Sequence, residues 1–149
     1  MAQPLRFLLD ESIVFVTTRL KNQSVRLSDE EKRIIQETLN EASDHEEIIL
    51  YAYVIMPDHF HALLKPNGND LSKTMQLLKG RSSRRINKGI LWQKGFYDFM
   101  IISEKKFKEK FNYIHKNPVM KGLAENPESY PFSSAERHIK EFGECIYLS

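Results

Sequence analysis

The stretch IILYAYVIM (48–56), PD (57–58), HFHALLK (59–65) decides the fold. The first run is long, apolar and rich in β-branched and aromatic residues, which predicts a strand. Pro57 and Asp58 punctuate it, and the second run resumes as another strand. Two strands joined by so short a turn form an antiparallel hairpin.

Working outward, IVFVTTRL (13–20) also reads as a strand. Ser28 and Glu31 fit a capping box that opens a helix to about Ser43, with Ile34, Ile35, Thr38, Leu39 and Ala42 at helical spacing. After the hairpin, Pro66 to Asn69 form a loop, and a helix runs from Asp70 to about Asn87 with Leu71, Met75 and Leu78 on one face. Gly80 marks a point where that helix can break. FYDFMII (96–102) predicts a fourth strand, and Ser103 caps a last main helix reaching Asn117, where Pro118 follows. From about residue 124 the tail, with Pro127, Pro131 and Gly143, is expected to be irregular with short helical pieces. The order β-α-β-β-α-β plus a helix is α+β and ferredoxin-like: a split β-α-β antiparallel sheet with helices on one face, and one more helix beyond it.

A chain of 149 residues, 41% hydrophobic, suits a single domain over 1–149 with an ordinary core. No apolar window is long enough for a transmembrane helix, and MAQPLRFLLDES lacks the features of a signal peptide. The lone cysteine, Cys145, has no internal disulfide partner. A cytoplasmic protein is expected. The net charge of +2 conceals an uneven distribution. Acidic residues crowd Asp29 to Glu47, whereas Leu71 to Tyr97 holds Lys73, Lys79, Arg81, Arg84, Arg85, Lys88 and Lys94 with no Asp or Glu. The basic run reads either as a solvated face or as the contact for a local anionic partner.

His59 and His61 are two apart on a predicted strand, so both project from one face and Phe60 from the other. Two imidazoles so placed can chelate a divalent metal. A bare His-x-His is also often two ordinary histidines by a turn, one of them buried and hydrogen-bonded. On a helical wheel at 100° per residue, Phe107, Phe111 and Ile114 fall within about 60° of one another and form a buried stripe. Lys106, Lys110, Tyr113 and Asn117 lie on a second stripe about as wide, away from the first. That places a phenol beside an amide oxygen and in line with two lysines, an arrangement suited to phosphate chemistry. It equally describes an amphipathic helix with a boundary tyrosine and an asparagine cap.

Taken together, these residues resemble the HUH single-tyrosine transposases, and within them the REP-associated tyrosine transposases. HUH denotes histidine, hydrophobe, histidine, and His59-Phe60-His61 stands in the matching setting YVIMPDHFHALL. WQKGFYDFMI (92–101) resembles the tryptophan-led segment of that group, YIHKNPVMKGL (113–123) its tyrosine with Asn-Pro four residues on, and SYPFSSA (129–135) its usual ending. The resemblance runs from about Phe7 to Ala135. It departs at the N-terminus, where only MAQPLR precedes the first core residues and many members carry a longer arm that reads the DNA site.

The resemblance implies that His59 and His61 bind a metal, that Tyr113 attacks DNA, and that Asn117 stands where the family keeps a third metal ligand of variable type. Mg²⁺ or Mn²⁺ is expected, since phosphate and amide oxygens are hard ligands, although two imidazoles also accept Zn²⁺. The expected product is a 5′-phosphotyrosine with a free 3′-hydroxyl, and the expected partner single-stranded DNA with hairpin or palindromic ends. Lys79, Arg81, Arg84, Arg85, Lys88, Lys94, Lys106 and Lys110 are the candidate phosphate contacts, and Trp92 either stacks on a base or packs in the core. Related enzymes include both monomers and dimers, so a homodimer with shared sites is one expected state. Two other readings stay open: a ferredoxin-like module that holds nucleic acid without chemistry, and a metal phosphohydrolase that uses water.

Overall fold

A computed structural model describes residues 13–142, with side chains as far as His138. Cys145, Gly143 and the MAQPLR start lie outside the described residues. In chain order the elements are β1 (Val14–Arg19), α1 (Asp29–Asp44), β2 (Ile48–Ile55), β3 (His59–Pro66), α2 (Leu71–Ile86), β4 (Tyr97–Met100), α3 (Glu104–Met120) and α4 (Ala135–Phe142). They form one sheet in the order β2-β3-β1-β4, antiparallel throughout. This is the expected ferredoxin-like architecture.

Both faces of the sheet are covered. Phe60 projects to one side, where its ring meets that of Trp92 at 5.3 Å. The indole Nε1 donates to Ser82 Oγ of α2 at 2.9 Å, so α1 and α2 occupy that face. Phe15 and His61 project to the other side, where both meet the ring of Tyr113 from α3. The helix bearing the tyrosine thus packs opposite the first two.

Local signals act as the sequence predicts at α1. Ser28 Oγ accepts from Glu31 N–H, and the Glu31 carboxylate accepts from Ser28 N–H, which closes the capping box. At Gly80 the helix does not break: α2 is continuous, and a Cβ there would lie 3.1 Å from the Arg84 guanidinium. Glycine lets that side chain fold back along its own helix. At Pro118 the helix continues instead of stopping, and α3 runs on to Met120. Proline forfeits the bond to the carbonyl one turn back. Burial of Ile114, His115, Asn117 and Pro118 holds the last turns in place. Gly122, at φ +75°, then ends the helix.

Hydrogen bonds tie the tail to the sheet. A short 3₁₀ turn (Pro127–Ser129) leads into residues that cover the edge of β2: Ile55 N–H donates to Phe132 O, Tyr53 N–H donates to Ser134 Oγ, and Ser134 N–H donates to Tyr53 O. Tyr130 donates its hydroxyl proton to Ile55 O. Covering an edge strand prevents unwanted pairing there. α4 then packs on α3 through His138, whose ring contacts Phe111 and His115.

Candidate active site

The pleat of β3 directs His59 and His61 to one face, and the β1 register supplies their supports. Thr17 lies opposite His61, and its Oγ1 is 2.8 Å from His61 Nδ1. Asp58, the last turn residue, sits 2.6 Å from His59 Nδ1. A carboxylate only accepts, so neutral His59 carries its proton on Nδ1 and turns the Nε2 lone pair inward. The two Nε2 atoms lie 3.2 Å apart. Two nitrogens about 2.1 Å from one ion are separated this far when they subtend roughly 100°. Which of Nδ1 and Nε2 of His61 carries the proton depends on its tautomer, and its contacts with Thr17 and His59 admit more than one. Thr17 serves either state, because a hydroxyl both donates and accepts.

Burial holds both imidazoles below their ordinary value. His61 is pushed down to about 3, first by desolvation and then by the positive charge of His59, Arg19 and Lys110. His59 is lowered by desolvation, against the opposing pull of Asp58. Burial raises the Asp58 carboxyl, but the His59 hydrogen bond and the charges of His59, Arg26 and Arg19 outweigh it, and the net direction is down. Neutral imidazoles at neutral pH are the form that binds metal without proton competition.

α3 brings the phenol. The Tyr113 ring meets His61 edge-on at 5.4 Å and Phe15 at 6.1 Å. Its side of the helix faces outward, leaving Tyr113 38% exposed. One turn later Asn117 is buried, and its Oδ1 has no hydrogen-bond partner among the described residues. An orphaned buried carbonyl oxygen costs free energy unless a donor or cation meets it. Two converging neutral imidazoles, and an amide oxygen of this kind one turn beyond Tyr113, are donor types that a divalent cation accepts. Among the described residues, no cluster of three His, Cys, Asp or Glu offers an alternative centre. The wheel treats Tyr113 and Asn117 alike, and here the fold separates them: the C-terminal half of α3 buries a wider face.

Lys110 is held differently from Lys106 and Lys108 of the same helix. Lys106 pairs with Glu109 and Lys108 with Glu104. The Lys110 ammonium has no carboxylate partner among the described residues. It sits over the rings of Phe15 (4.6 Å) and Phe99 (4.8 Å), and 6.0 Å from that of Tyr113.

Most of the basic run lies elsewhere and is already engaged. Arg81 grips Glu47 bidentately at 2.6 and 2.8 Å, Arg85 pairs with Glu41, and Lys88 with Glu31. The anionic partner suggested for this segment is therefore, for these three, the acidic stretch of the same chain, because α1 and α2 pack side by side. Lys79 holds the carbonyls of Gln93 and Gly95, and its burial lowers its pKa. Trp92 is a correction to the base-stacking expectation: it is 3% exposed, its ring packs on Phe60 and its N–H is satisfied inside. Arg84 and Lys94 keep no carboxylate partner among the described residues, and with Lys21 they line an open groove.

Sequence reasoning missed Thr17, Phe15, Phe99 and Asp58. Asp58 was within reach, standing next to a candidate ligand. The others come to the site only through strand register.

The model of the family described as "Transposase IS200 like" matches residues 9–117. The chain is 22% identical over 141 residues to the REP-associated tyrosine transposase of Escherichia coli strain K12, covering 93% of this chain and 86% of that protein. It is 26% identical over 140 residues to a putative REP-associated tyrosine transposase of Haemophilus influenzae, covering 78% and 80% respectively. Among solved structures, a REP-associated tyrosine transposase bound to a REP hairpin superposes with a TM-score of 0.80 at 22% identity, covering all of this chain and 92% of that one. A putative transposase from Deinococcus radiodurans superposes with a TM-score of 0.53 at 18% identity, over 83% and 98% of the two chains.

Proposed function

The chain belongs to the IS200-like transposase family, and from that premise we propose that it cleaves and rejoins single-stranded DNA through Tyr113. The observation that carries this reading is the contact of the half-exposed Tyr113 ring with His61, whose Nε2 converges with that of His59.

His59 and His61, with Asn117, would hold a divalent cation, Mg²⁺ or Mn²⁺. Such an ion, when bound, supplies Lewis-acid polarisation of a phosphate oxygen. Tyr113 Oη attacks the phosphorus: the Oη–P bond forms, the P–O3′ bond breaks, the phenol proton passes to solvent, and the leaving 3′ oxygen takes up a proton. The phosphoester energy stays in the phosphotyrosine, so a second 3′-hydroxyl can reverse the step without ATP. Lys110 would steady a phosphate beside the phenol. Lys21, Arg84 and Lys94 would follow a flanking duplex or strand along their groove. The hairpin partner of the solved relative fits the same reading, since a hairpin offers both duplex and single strand.

Incubation with flanked hairpin DNA and Mn²⁺ should give a denaturant-resistant protein–DNA adduct, absent in Tyr113→Phe. Cleavage that survives Tyr113→Phe without any adduct would instead mark water as the nucleophile.

A further inference from the structure

β4 carries an exposed aromatic that neither the core nor the chemistry above uses. Tyr97 is 56% exposed. It stands opposite Thr17 on β1, while Phe99, two residues on, stands opposite Phe15. Directly opposed residues share a face, with Cβ atoms about 5 Å apart. Tyr97 therefore neighbours the threonine that braces His61, on the face that α3 covers only in part. Beside it, Phe15 and Phe99 hold the Lys110 ammonium with no carboxylate to neutralise it. Arg19, at the end of β1, adds positive charge felt by both histidines.

An exposed ring next to an uncompensated cation matches one occupant: a nucleotide with its base unstacked and its phosphate free. We propose that Tyr97 and Lys110 form a subsite for one unpaired nucleotide adjacent to the scissile phosphate, the base stacking on Tyr97 and its phosphate meeting Lys110. This inference rests on the single-strand reading of the site. It adds a reason for strand selectivity, because a base inside a duplex already stacks on its neighbours and presents no free face to Tyr97.

The test measures binding rather than cleavage, in a Tyr113→Phe background with Mn²⁺ present, so that its outcome is independent of the adduct assay. The probes are oligothymidylate, an abasic oligomer of equal length, and a duplex. Base–aromatic stacking predicts that Tyr97→Ala weakens oligothymidylate binding by roughly tenfold to a hundredfold and leaves the abasic and duplex affinities unchanged. Tyr97→Phe should retain the parent affinity. Lys110→Met, which keeps the packing against both phenyl rings, should weaken oligothymidylate and abasic oligomer alike. Unchanged oligothymidylate affinity in Tyr97→Ala would overturn the subsite, as would an equal loss on all three probes.

Discussion

The Thr17 hydroxyl lies 2.8 Å from His61 Nδ1, so a residue of β1 sets the aim of an imidazole on β3. Asp58 does the same for His59. Groups that orient a metal-binding histidine commonly control affinity by about 10–100-fold. Thr17→Val and Asp58→Asn should each weaken Mn²⁺ binding by about that factor, read by calorimetry, with the fold intact by circular dichroism. Unchanged affinity in both would mean that the ion is not held by these imidazoles.

Asn117 offers a different test. Its Oδ1 is buried without a partner, so Asn117→Asp, which adds a negative charge at the same size, should tighten Mn²⁺ binding while lowering stability in the absence of metal. Thermal unfolding with and without Mn²⁺ checks both halves: the gap between the two melting temperatures should widen relative to the parent chain.

Acid should destabilise the protein through its buried imidazoles. His61 and His115 are each held down to about 3 from an ordinary 6.5, chiefly by desolvation. Between those values the unfolded chain binds protons that the native chain refuses, so stability is complete above about pH 6.5 and is lost as pH falls toward 3. His115, which contacts Ser134 Oγ at 2.7 Å and lies against His138, is the more informative target. His115→Gln should flatten the fall in melting temperature between pH 6.5 and 4.5; an unaltered slope would remove His115 as a source.

The basic run should divide into two classes. Arg84→Ala and Lys94→Ala, at the open groove, should weaken DNA binding and each reduce the slope of log affinity against log salt by about one. Arg81→Ala and Arg85→Ala, committed to Glu47 and Glu41, should leave that slope unchanged. Their cost should fall on stability, and at such partly exposed pairs it should be about 1 kcal/mol or less.

Trp92 belongs to the interior, so Trp92→Phe should cost about 1–3 kcal/mol through lost volume and a Ser82 hydroxyl left without its donor. DNA affinity measured well below the melting temperature should not change. A selective loss of single-strand affinity would return this ring to the interface.

By itself the sequence determined the element order, the split β-α-β architecture, the capping box at Ser28 and the sidedness of His59-Phe60-His61. These follow from periodicity, turn chemistry and strand alternation, which act over a few residues. It also singled out Tyr113 as lying off the buried stripe of its helix. Only the tertiary structure decided which groups meet. The strand register brought Thr17 to His61 and Phe99 to Phe15, pairs separated by long stretches of chain. Helix packing turned Arg81, Arg85 and Lys88 toward the chain's own acidic stretch, and the α2 contact drew Trp92 inward. Burial at the end of α3 carried the helix through Pro118 and closed over Asn117. Local sequence encodes the direction in which a side chain points, but its partner is set by the registration and packing of distant segments, which no short-range periodicity records.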